Sequence, residues 1–500
     1  MKAIEMSLPQ FHRVSDNDQC CGCTACMAVC PEKAVSIKTN PKGFYAAEVD
    51  ESKCIKCGKC LQVCPFAQAP QLENPDPTVY AVQVKDSLKR ITSQSGGAYR
   101  VFAEEVLKKE GVLYGVVMNG NQAVYARIES WDVKECLSGS KYVQALVGDT
   151  LLQVKEDLIS GRDVFVCGTP CFIDGLKMYL TSGRVETTKL FTADIICHGV
   201  PSPGIFKQYI DMLSENHTRE ITDFNFRDKI FSWGSHVCSY FDGTTRVFSE
   251  NWVNIFYSHL CLNETCYVCP YANIKRVGDV TIGDCWGIEE SQPEMNDFLG
   301  TSMVLLNTEK GREFFRRIKP EIVSQRFEVN YDRQPNLYMP TQKPKEYEEF
   351  WNQYYREGFF RAIEQYCSYR SDEKALVERL GWNLYQELFK HLSKRSDSIF
   401  LYGVGLTMWQ MIYYIEKEQE NIAIQGILDR DTARWGDSFL GYPVCREDRL
   451  PDGKFVVVLC AKNKDSIMEV TKRLSADKKY KGAEIYNLYW HENIQEGELK

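Results

Sequence analysis

The sequence predicts an α/β protein in three parts, and three observations predict it. Two cysteine runs stand near the N-terminus, Cys20-x2-Cys23-x2-Cys26-x3-Cys30-Pro31 and Cys54-x2-Cys57-x2-Cys60-x3-Cys64-Pro65. Short β-branched runs alternate with amphipathic helical patterns from about residue 79 to 340. A second, smaller alternation fills about residues 398–500.

The cysteine runs define the first part, residues 1–66, a ferredoxin-like module. Thiolates at this spacing wrap four-iron cubes, and in the two-cluster arrangement the fourth cysteine of each run ligates the other cube. One 4Fe-4S cluster is therefore expected on Cys20, Cys23, Cys26 and Cys64, the other on Cys54, Cys57, Cys60 and Cys30. The proline after each crossed ligand fixes φ and donates no hydrogen bond, which turns the chain away. Zinc is the competing reading of CxxC pairs, but zinc sites join two such units across a longer gap. The chain is expected to move electrons.

Composition agrees with a cytoplasmic enzyme. A chain of 500 residues with 44% apolar content can build several hydrophobic cores. Its 21 cysteines come without a basic-then-apolar leader, and so read as reduced thiols and metal ligands. No apolar run reaches membrane-spanning length. The net charge of -8 is spread without a basic stripe, which argues against nucleic acid as a partner.

After a polar, proline-rich linker at 66–78, the second part covers residues 79–340. Its strands read VYAVQV, VLYGVVM, VFVCG and FTADIIC, and its helices GAYRVFAEEVLKKEG, DTLLQVKEDLISG and SPGIFKQYIDMLSE. Ser95, Gly96 and Gly97 in SQSGG lie between a strand and a helix, as a plain helix start or an anion site would. Ser140, Lys141 and Tyr142 in SGSKY add hydroxyls and a cation. Gly168, Thr169, Pro170 and Cys171 end one strand and Cys197-His198 another, where open α/β sheets bind ligands. Cys266-x2-Cys269 and Gly283-Asp284 follow. Taken singly, such cysteines are small buried hydrophobes. Cys171, Cys197, Cys266 and Cys269 become a ligand set for a third cluster if the fold gathers them at one rim. Cys136, Cys238, Cys261, Cys367, Cys445 and Cys460 read as structural, and Cys285 as a neighbour of the site.

A helical stretch at 341–397 leads to the third part, a small Rossmann-like domain at 398–500. Gly403-x-Gly405 follows the strand IFLY, and Asp429 ends IAIQGILD, a dinucleotide fingerprint without its third glycine. LYGVGLTMW, GILDRD and GYPV resemble the nucleotide-sugar-binding domains of some sugar acyltransferases. The domain reads either as a nucleotide or nucleotide-sugar site or as a dock with an empty crevice.

The order SQSGGAYRVFAEEVL, SGSKY, CGTPCFIDGLKMYL, DIICHGVPSP, FNFRDKIFSWG, CYVCPYANIKRVGDVTIGDCWGI resembles the coenzyme F-420 hydrogenase/dehydrogenase beta-subunit family over about residues 79–310. The resemblance implies a central FAD-binding domain passing electrons between a hydride carrier and iron-sulfur clusters. It also implies a third cluster on Cys171, Cys197, Cys266 and Cys269, flavin loops at SQSGG and SGSKY, and GTPC beside the flavin. Lys141 would then neutralise a flavin phosphate or the reduced ring, with a loop lysine as the alternative. His198 would donate a proton or simply hold structure, and Asp284, next to Gly283, would serve flavin ribose or proton, or cap a turn. Two positions depart from close relatives, Cys285 where an aromatic is usual and Phe172 where a glutamine is.

Longer bacterial forms of this kind are associated with cell-surface polysaccharide synthesis. The expected function is an iron-sulfur flavoenzyme acting on a small molecule, with ferredoxin or another electron carrier as partner. The competing expectation is a non-catalytic relay subunit on a larger hydrogenase or dehydrogenase.

Overall fold

The computed structural model describes residues 19–488 apart from 69, 71, 73–75, 131–136, 298, 371–381, 419–421, 447–449, 452 and 462–463. Cys136 and part of the expected linker lie outside the described residues. Two units result. The first holds the described residues up to Lys85, Ser93–Asp228, and those from His236 to Arg370; the second holds Asp86–Thr92, Lys229–Ser235, and those from Trp382 onward.

The N-terminal cysteines sit around two short helices, Ala25–Val29 and Lys59–Gln62, with a hairpin of β1 (Val35–Thr39) and β2 (Tyr45–Val49) between them in sequence. This module belongs to the first unit because side chains farther along the chain bind its backbone. Gln144 donates to Cys21 O and Tyr45 O at 3.1 Å and accepts from Tyr45 N at 2.8 Å. Asn263 donates to Cys20 O at 3.1 Å, Ser202 to Lys42 O at 2.6 Å, and Gly204 N to Gly43 O at 3.1 Å. The described residues of 19–66 and those of 79–340 outside Asp86–Thr92 and Lys229–Ser235 therefore fall in one unit.

The body is built on eight strands, β3 (Thr78–Val84), β4 (Val112–Asn119), β5 (Gln122–Ile128), β6 (Val164–Gly168), β7 (Leu190–Ile195), β11 (Val280–Asp284), β12 (Ser302–Leu306) and β13 (Ile322–Arg326). They run in the order β13-β3-β12-β11-β7-β6-β4-β5. The central β11, β7, β6 and β4 are parallel, and antiparallel strands flank them. Parallel strands are covered on both faces, so most of their positions are apolar. Accordingly Val112, Tyr114, Val164 and Val166 enter one core while Leu113 and Phe165 enter the other. Helices Thr150–Ile159 and Pro170–Ser182 cover the first face, joined by Cys23, Ala25, Val63 and Phe66 of the cysteine module. Helices Ala98–Leu107 and Glu309–Ile318 cover the second. A separate antiparallel sheet of β8 (Thr222–Asn225), β9 (Cys238–Phe241) and β10 (Arg246–Ser249) completes the sheets of this unit.

The region 341–397, expected as one helical linker, is divided between the units. Helices Tyr347–Glu357 and Phe359–Tyr366 belong to the first, where the Trp351 indole donates to Leu260 O at 3.1 Å. Helix Trp382–Leu392 belongs to the second, where the Tyr385 hydroxyl reaches Gln410 Oε1 at 3.0 Å.

The second unit carries β14 (Ile399–Tyr402), β15 (Ile424–Leu428), β16 (Ser438–Phe439), β17 (Tyr442–Cys445), β18 (Phe455–Leu459) and β19 (Ala483–Tyr486), in the order β16-β17-β15-β14-β18-β19. Counted from β14, its parallel strands stand 3-2-1-4-5, so the order reverses beside β14. At that point Gly403 takes φ +96°, and Asp429 Oδ2 accepts from Val404 N at 2.8 Å, ahead of helix Leu406–Glu418.

Candidate functional site

The structure gathers the N-terminal cysteines into the two crossed sets. Cys20, Cys23, Cys26 and Cys64 line one small cavity, and Cys30, Cys54, Cys57 and Cys60 line another. The second set lies toward solvent, with Cys57 exposed and Ile55 beside it 62% exposed.

A larger cavity of about 320 Å³ opens at the C-terminal rim of the main sheet. The parallel strands deliver its chemistry: Gly168 ends β6, Cys197 and His198 follow β7, and Asp284 ends β11. Cys171 stands in the first turn of helix Pro170–Ser182, with Thr169 Oγ1 at 3.4 Å from its sulfur. Cys266 and Cys269 come from a one-turn helix, Glu264–Val268, capped by Asn263. All four thiols line the cavity and feel one another's charge: Cys197 meets Cys171 and Cys269, and Cys266 meets Cys197, Cys269 and Cys171. Burial pushes the Cys197 thiol up to about 12 and Cys269 up to about 11, so these sulfurs stay protonated until a cation offsets their charge. Among the described residues, no three His, Cys, Asp or Glu converge on a point fit for one metal ion. Four thiols lining one cavity are the donor set a four-iron cube takes.

A buried ion pair holds the two arms of this set. Arg276, 1% exposed, meets the fully buried Asp194 at 2.9 Å. Its other donors reach Ile195 O at 2.7 Å, two residues before Cys197, and Tyr271 O at 2.6 Å, two residues after Cys269. Removing one partner of such a pair costs about 3–5 kcal/mol.

Two loops form another wall of the cavity. Gly97 takes φ +84° and starts helix Ala98–Leu107, where Ser302 Oγ accepts from Ala98 N at 3.4 Å. The positive end of the helix dipole favours an anion. Ser138 to Tyr142 line the same space, and nothing lies within 4 Å of where a Cβ on Gly139 would stand. On β4, the Cβ position of Gly115 lies 2.9 Å from Leu137 and 3.3 Å from the Tyr99 hydroxyl. A helix start beside a bare, lysine-bearing loop suits a phosphate group.

The other expected residues take specific partners. Lys141 Nζ donates to Ser138 O at 2.8 Å and Gly139 O at 3.1 Å, which ties its ammonium to its own loop. Ser95 lines the cavity, but its hydroxyl donates to Thr301 O at 2.6 Å. Gly96 faces strand backbone, where a Cβ would strike Val82 O and Ser302 N; its role is close packing, not ligand contact. Gly168 and Gly283 line the cavity yet are also fixed by packing, against the Tyr125 hydroxyl and the Ile196 side chain. Pro170 opens its helix at the cavity wall. Tyr142 stacks on Phe256 at 4.5 Å.

Asp284 does not offer a free carboxylate. It forms an ion pair with Arg227, 6% exposed, whose guanidinium lies 5.2 Å from the Trp286 ring. Burial acts against the charge on Arg227, and Asp284 and Tyr142 more than restore it, raising its pKa. The proton-taking role expected of Asp284 thus gives way to holding Arg227. Burial, with His259 next, pushes His198 down to about 4, so its imidazole is neutral and holds one ring N–H. Cys285 is fully buried, and Phe172 packs on Tyr125 with ring centroids 4.2 Å apart.

Sequence reasoning missed Arg227, Tyr125, Cys167 and Cys21, all of them at this site: Tyr125, Cys167 and Cys21 line the cavity, and Arg227 holds its Asp284. Arg227 and Tyr125 carry no motif. Cys21 was hidden inside a run whose ligand spacing is complete without it.

The fold and cysteine sets define an iron-sulfur electron-transfer protein of oxidoreductase type. Residues 161–328 match the model for the C terminus of the coenzyme F420 hydrogenase/dehydrogenase beta subunit, and residues 19–68 match the 4Fe-4S dicluster domain. These two matches, each over part of the chain, make it similar to the coenzyme F420 hydrogenase/dehydrogenase beta subunits. A solved chain from the F420-reducing [NiFe] hydrogenase complex of Methanosarcina barkeri is similar, at 13% identity and a TM-score of 0.37, over 62% of this chain and 94% of that one. No curated protein matches. Among the described residues no helix is long and apolar enough to cross a membrane.

Proposed function

We propose that this chain is an iron-sulfur flavoprotein that exchanges electrons between a protein carrier and a small-molecule substrate. One observation carries the reading: four gathered thiols, Cys171, Cys197, Cys266 and Cys269, share a cavity with the SQSGG helix start and the Ser138–Tyr142 loop. The crossed N-terminal sets hold two 4Fe-4S clusters, the four gathered thiols hold a third, and the two loops hold FAD. Bound FAD supplies the change between two-electron hydride chemistry and one-electron transfer. The chain's own residues bind and orient. The helix start and Ser138–Tyr142 take the diphosphate, and Lys141 stiffens that loop through its two carbonyl contacts. Asp284, held by Arg227, forms with Trp286 and neutral His198 the side that meets substrate, where the His198 ring N–H donates a hydrogen bond. The exposed second set receives or releases electrons to a carrier of the ferredoxin kind.

Acid release from anaerobically purified protein should yield about one FAD per chain, and one external reductant among reduced ferredoxin, NAD(P)H and the deazaflavin should bleach it. Absence of flavin would refute the reading. Flavin bleached only within a stable complex with another subunit would turn it into the relay reading.

The second unit takes a nucleotide or nucleotide-sugar at the turn after β14, which links the chain to polysaccharide synthesis. No heavy atom outside its chain neighbours lies within 4 Å of where a Cβ on Gly405 would stand, and Gly405 needs no positive φ, so Gly405→Trp fills the crevice without backbone strain. Calorimetry on the full chain should show binding of a UDP-sugar, NADH or NADPH by the parent, and at least about tenfold weaker binding by the variant, ~1.4 kcal/mol. Heat of dilution alone for every ligand would leave the unit as a dock.

A further inference from the structure

The two cysteine runs share one spacing and differ at the positions between their ligands. Among its first three ligands the first run carries Cys21-Gly22 and Thr24-Ala25, and the second carries Ile55-Lys56 and Gly58-Lys59. The backbone agrees position by position. Gly22 (φ +75°) corresponds to Lys56 (φ +55°), and Thr24 (φ +64°) to Gly58 (φ +72°), each of the latter two opening a short helix. One loop is therefore built twice, and its two copies meet different surroundings.

The first copy is covered by the chain itself. Thr24 and Ala25 are buried, the Cβ position of Gly22 lies 2.7 Å from the Gln144 side chain, and Gln144 binds Cys21 O at 3.1 Å. The second copy is open. Ile55, Lys56, Cys57 and Lys59 are all exposed, and no heavy atom outside its chain neighbours lies within 4 Å of where a Cβ on Gly58 would stand. Where the covered copy has the small Gly22 and Ala25, the open copy has two lysines. Lys56 holds the left-handed backbone that favours glycine, so its side chain is kept at a conformational cost. Among the described residues no ion pair involves Lys56 or Lys59, whereas Lys53 is paired with Asp50 at 3.0 Å and the neighbours Glu32 and Lys33 carry opposite charges. The open loop thus has an apolar centre and a cationic rim, the layout of a protein interface.

We propose that the Cys54–Cys60 loop is the docking face for an acidic one-electron carrier protein, with Ile55 packing at its centre and Lys56 and Lys59 meeting carboxylates of the carrier. The proposal rests on the reading that the exposed set exchanges electrons with a carrier. A carrier can approach this set through Cys57, while Cys23 and Cys26 of the other set are buried. The step is a single electron leaving the reduced centre of the carrier and arriving at the cluster on Cys30, Cys54, Cys57 and Cys60, with no bond made or broken. Rim charges act mainly by steering the encounter, so they set the association rate and lose their effect as salt rises.

The test is stopped-flow reduction of the oxidised holoprotein by reduced plant-type [2Fe-2S] ferredoxin, an acidic carrier, and separately by reduced methyl viologen, a small cation. Lys56→Glu combined with Lys59→Glu should slow the ferredoxin reaction at least about tenfold at low salt. The gap should close near 1 M salt, where the screening length is about 3 Å. Methyl viologen should reduce this variant no more slowly than the parent, and iron should stay at the parent level. Ile55→Ser should slow the ferredoxin reaction several-fold at low and high salt alike, because lost apolar burial is not screened. The same two charge changes at Lys108 and Lys109, at the end of helix Ala98–Leu107 on the other face of the sheet, should cost far less. Equal ferredoxin rates in the parent and the Lys56/Lys59 variant, or an equal loss in the Lys108/Lys109 variant, would overturn the docking face while leaving the carrier reading in place. Lower iron, or a methyl viologen rate that falls as far as the ferredoxin rate, would make the two lysines structural and overturn it as well. A parent protein that methyl viologen reduces and ferredoxin does not would defeat the carrier reading itself, and the docking face with it.

Discussion

Changing Cys266 to Ser should lower the iron of anaerobically prepared protein from about twelve atoms to about eight, a loss of one cube. A hydroxyl is a poor iron ligand, and three thiolates do not close a four-thiolate site. The loss should stay local, because Cys266 lies on its own one-turn helix, while the crossed sets are formed within the module. EPR of the reduced variant should keep the two N-terminal signals. Iron quantified at about eight in both parent and variant would remove the third cluster from the protein. Iron falling by about eight in the variant would show that the module depends on this site, against the separate sets assigned to it.

The difference in how readable these sites were has a physical cause. The crossed sets are written in local spacing: seven residues fix three ligands, and the fourth is set by the proline-marked end of the other run. The third set has no such spacing. Its cysteines come from the ends of β6 and β7 and from a separate one-turn helix, and only the parallel order of β11, β7 and β6 brings them to one rim. Periodicity was enough for the strands and helices themselves, since residues such as Val164, Phe165 and Val166 are buried on alternate faces. It did not give the units. The second unit takes in Asp86–Thr92 and Lys229–Ser235, two short segments far from residue 398 in sequence, and such a union leaves no mark in composition.

The same limit explains Asp284 and Arg227. Gly-Asp after an apolar strand reads as a proton or ribose site, but the charge that neutralises Asp284 arrives from the loop after β8, and Gln94 of the SQSGG turn bridges that arginine at 3.3 Å once its amide is turned to match. Residues that are each ordinary in sequence thus lock the Asp284 side of the cavity to the SQSGG side. Arg227 is buried, so its charge is meaningful only beside an acidic partner or an anionic ligand.

A charge placed at Gly139 tests where the flavin phosphates lie. Gly139 has φ +80°, a conformation that Asn and Asp tolerate better than other side chains, so the two variants make the same demand on the backbone. Open space surrounds the new side chain in either case. They differ by one negative charge. Like charges about 4 Å apart near a protein surface repel by about 4 kcal/mol at an effective dielectric of about 20, which is about a thousandfold in affinity. Gly139→Asp should therefore lose its FAD on gel filtration while Gly139→Asn keeps most of it, and both should hold the parent level of iron because the cysteine sets lie on other segments. Raising the salt concentration should narrow the gap only slightly, since partly buried charges are weakly screened. Equal flavin content in the two variants would place the phosphates elsewhere and leave the start of helix Ala98–Leu107 as the remaining anion site.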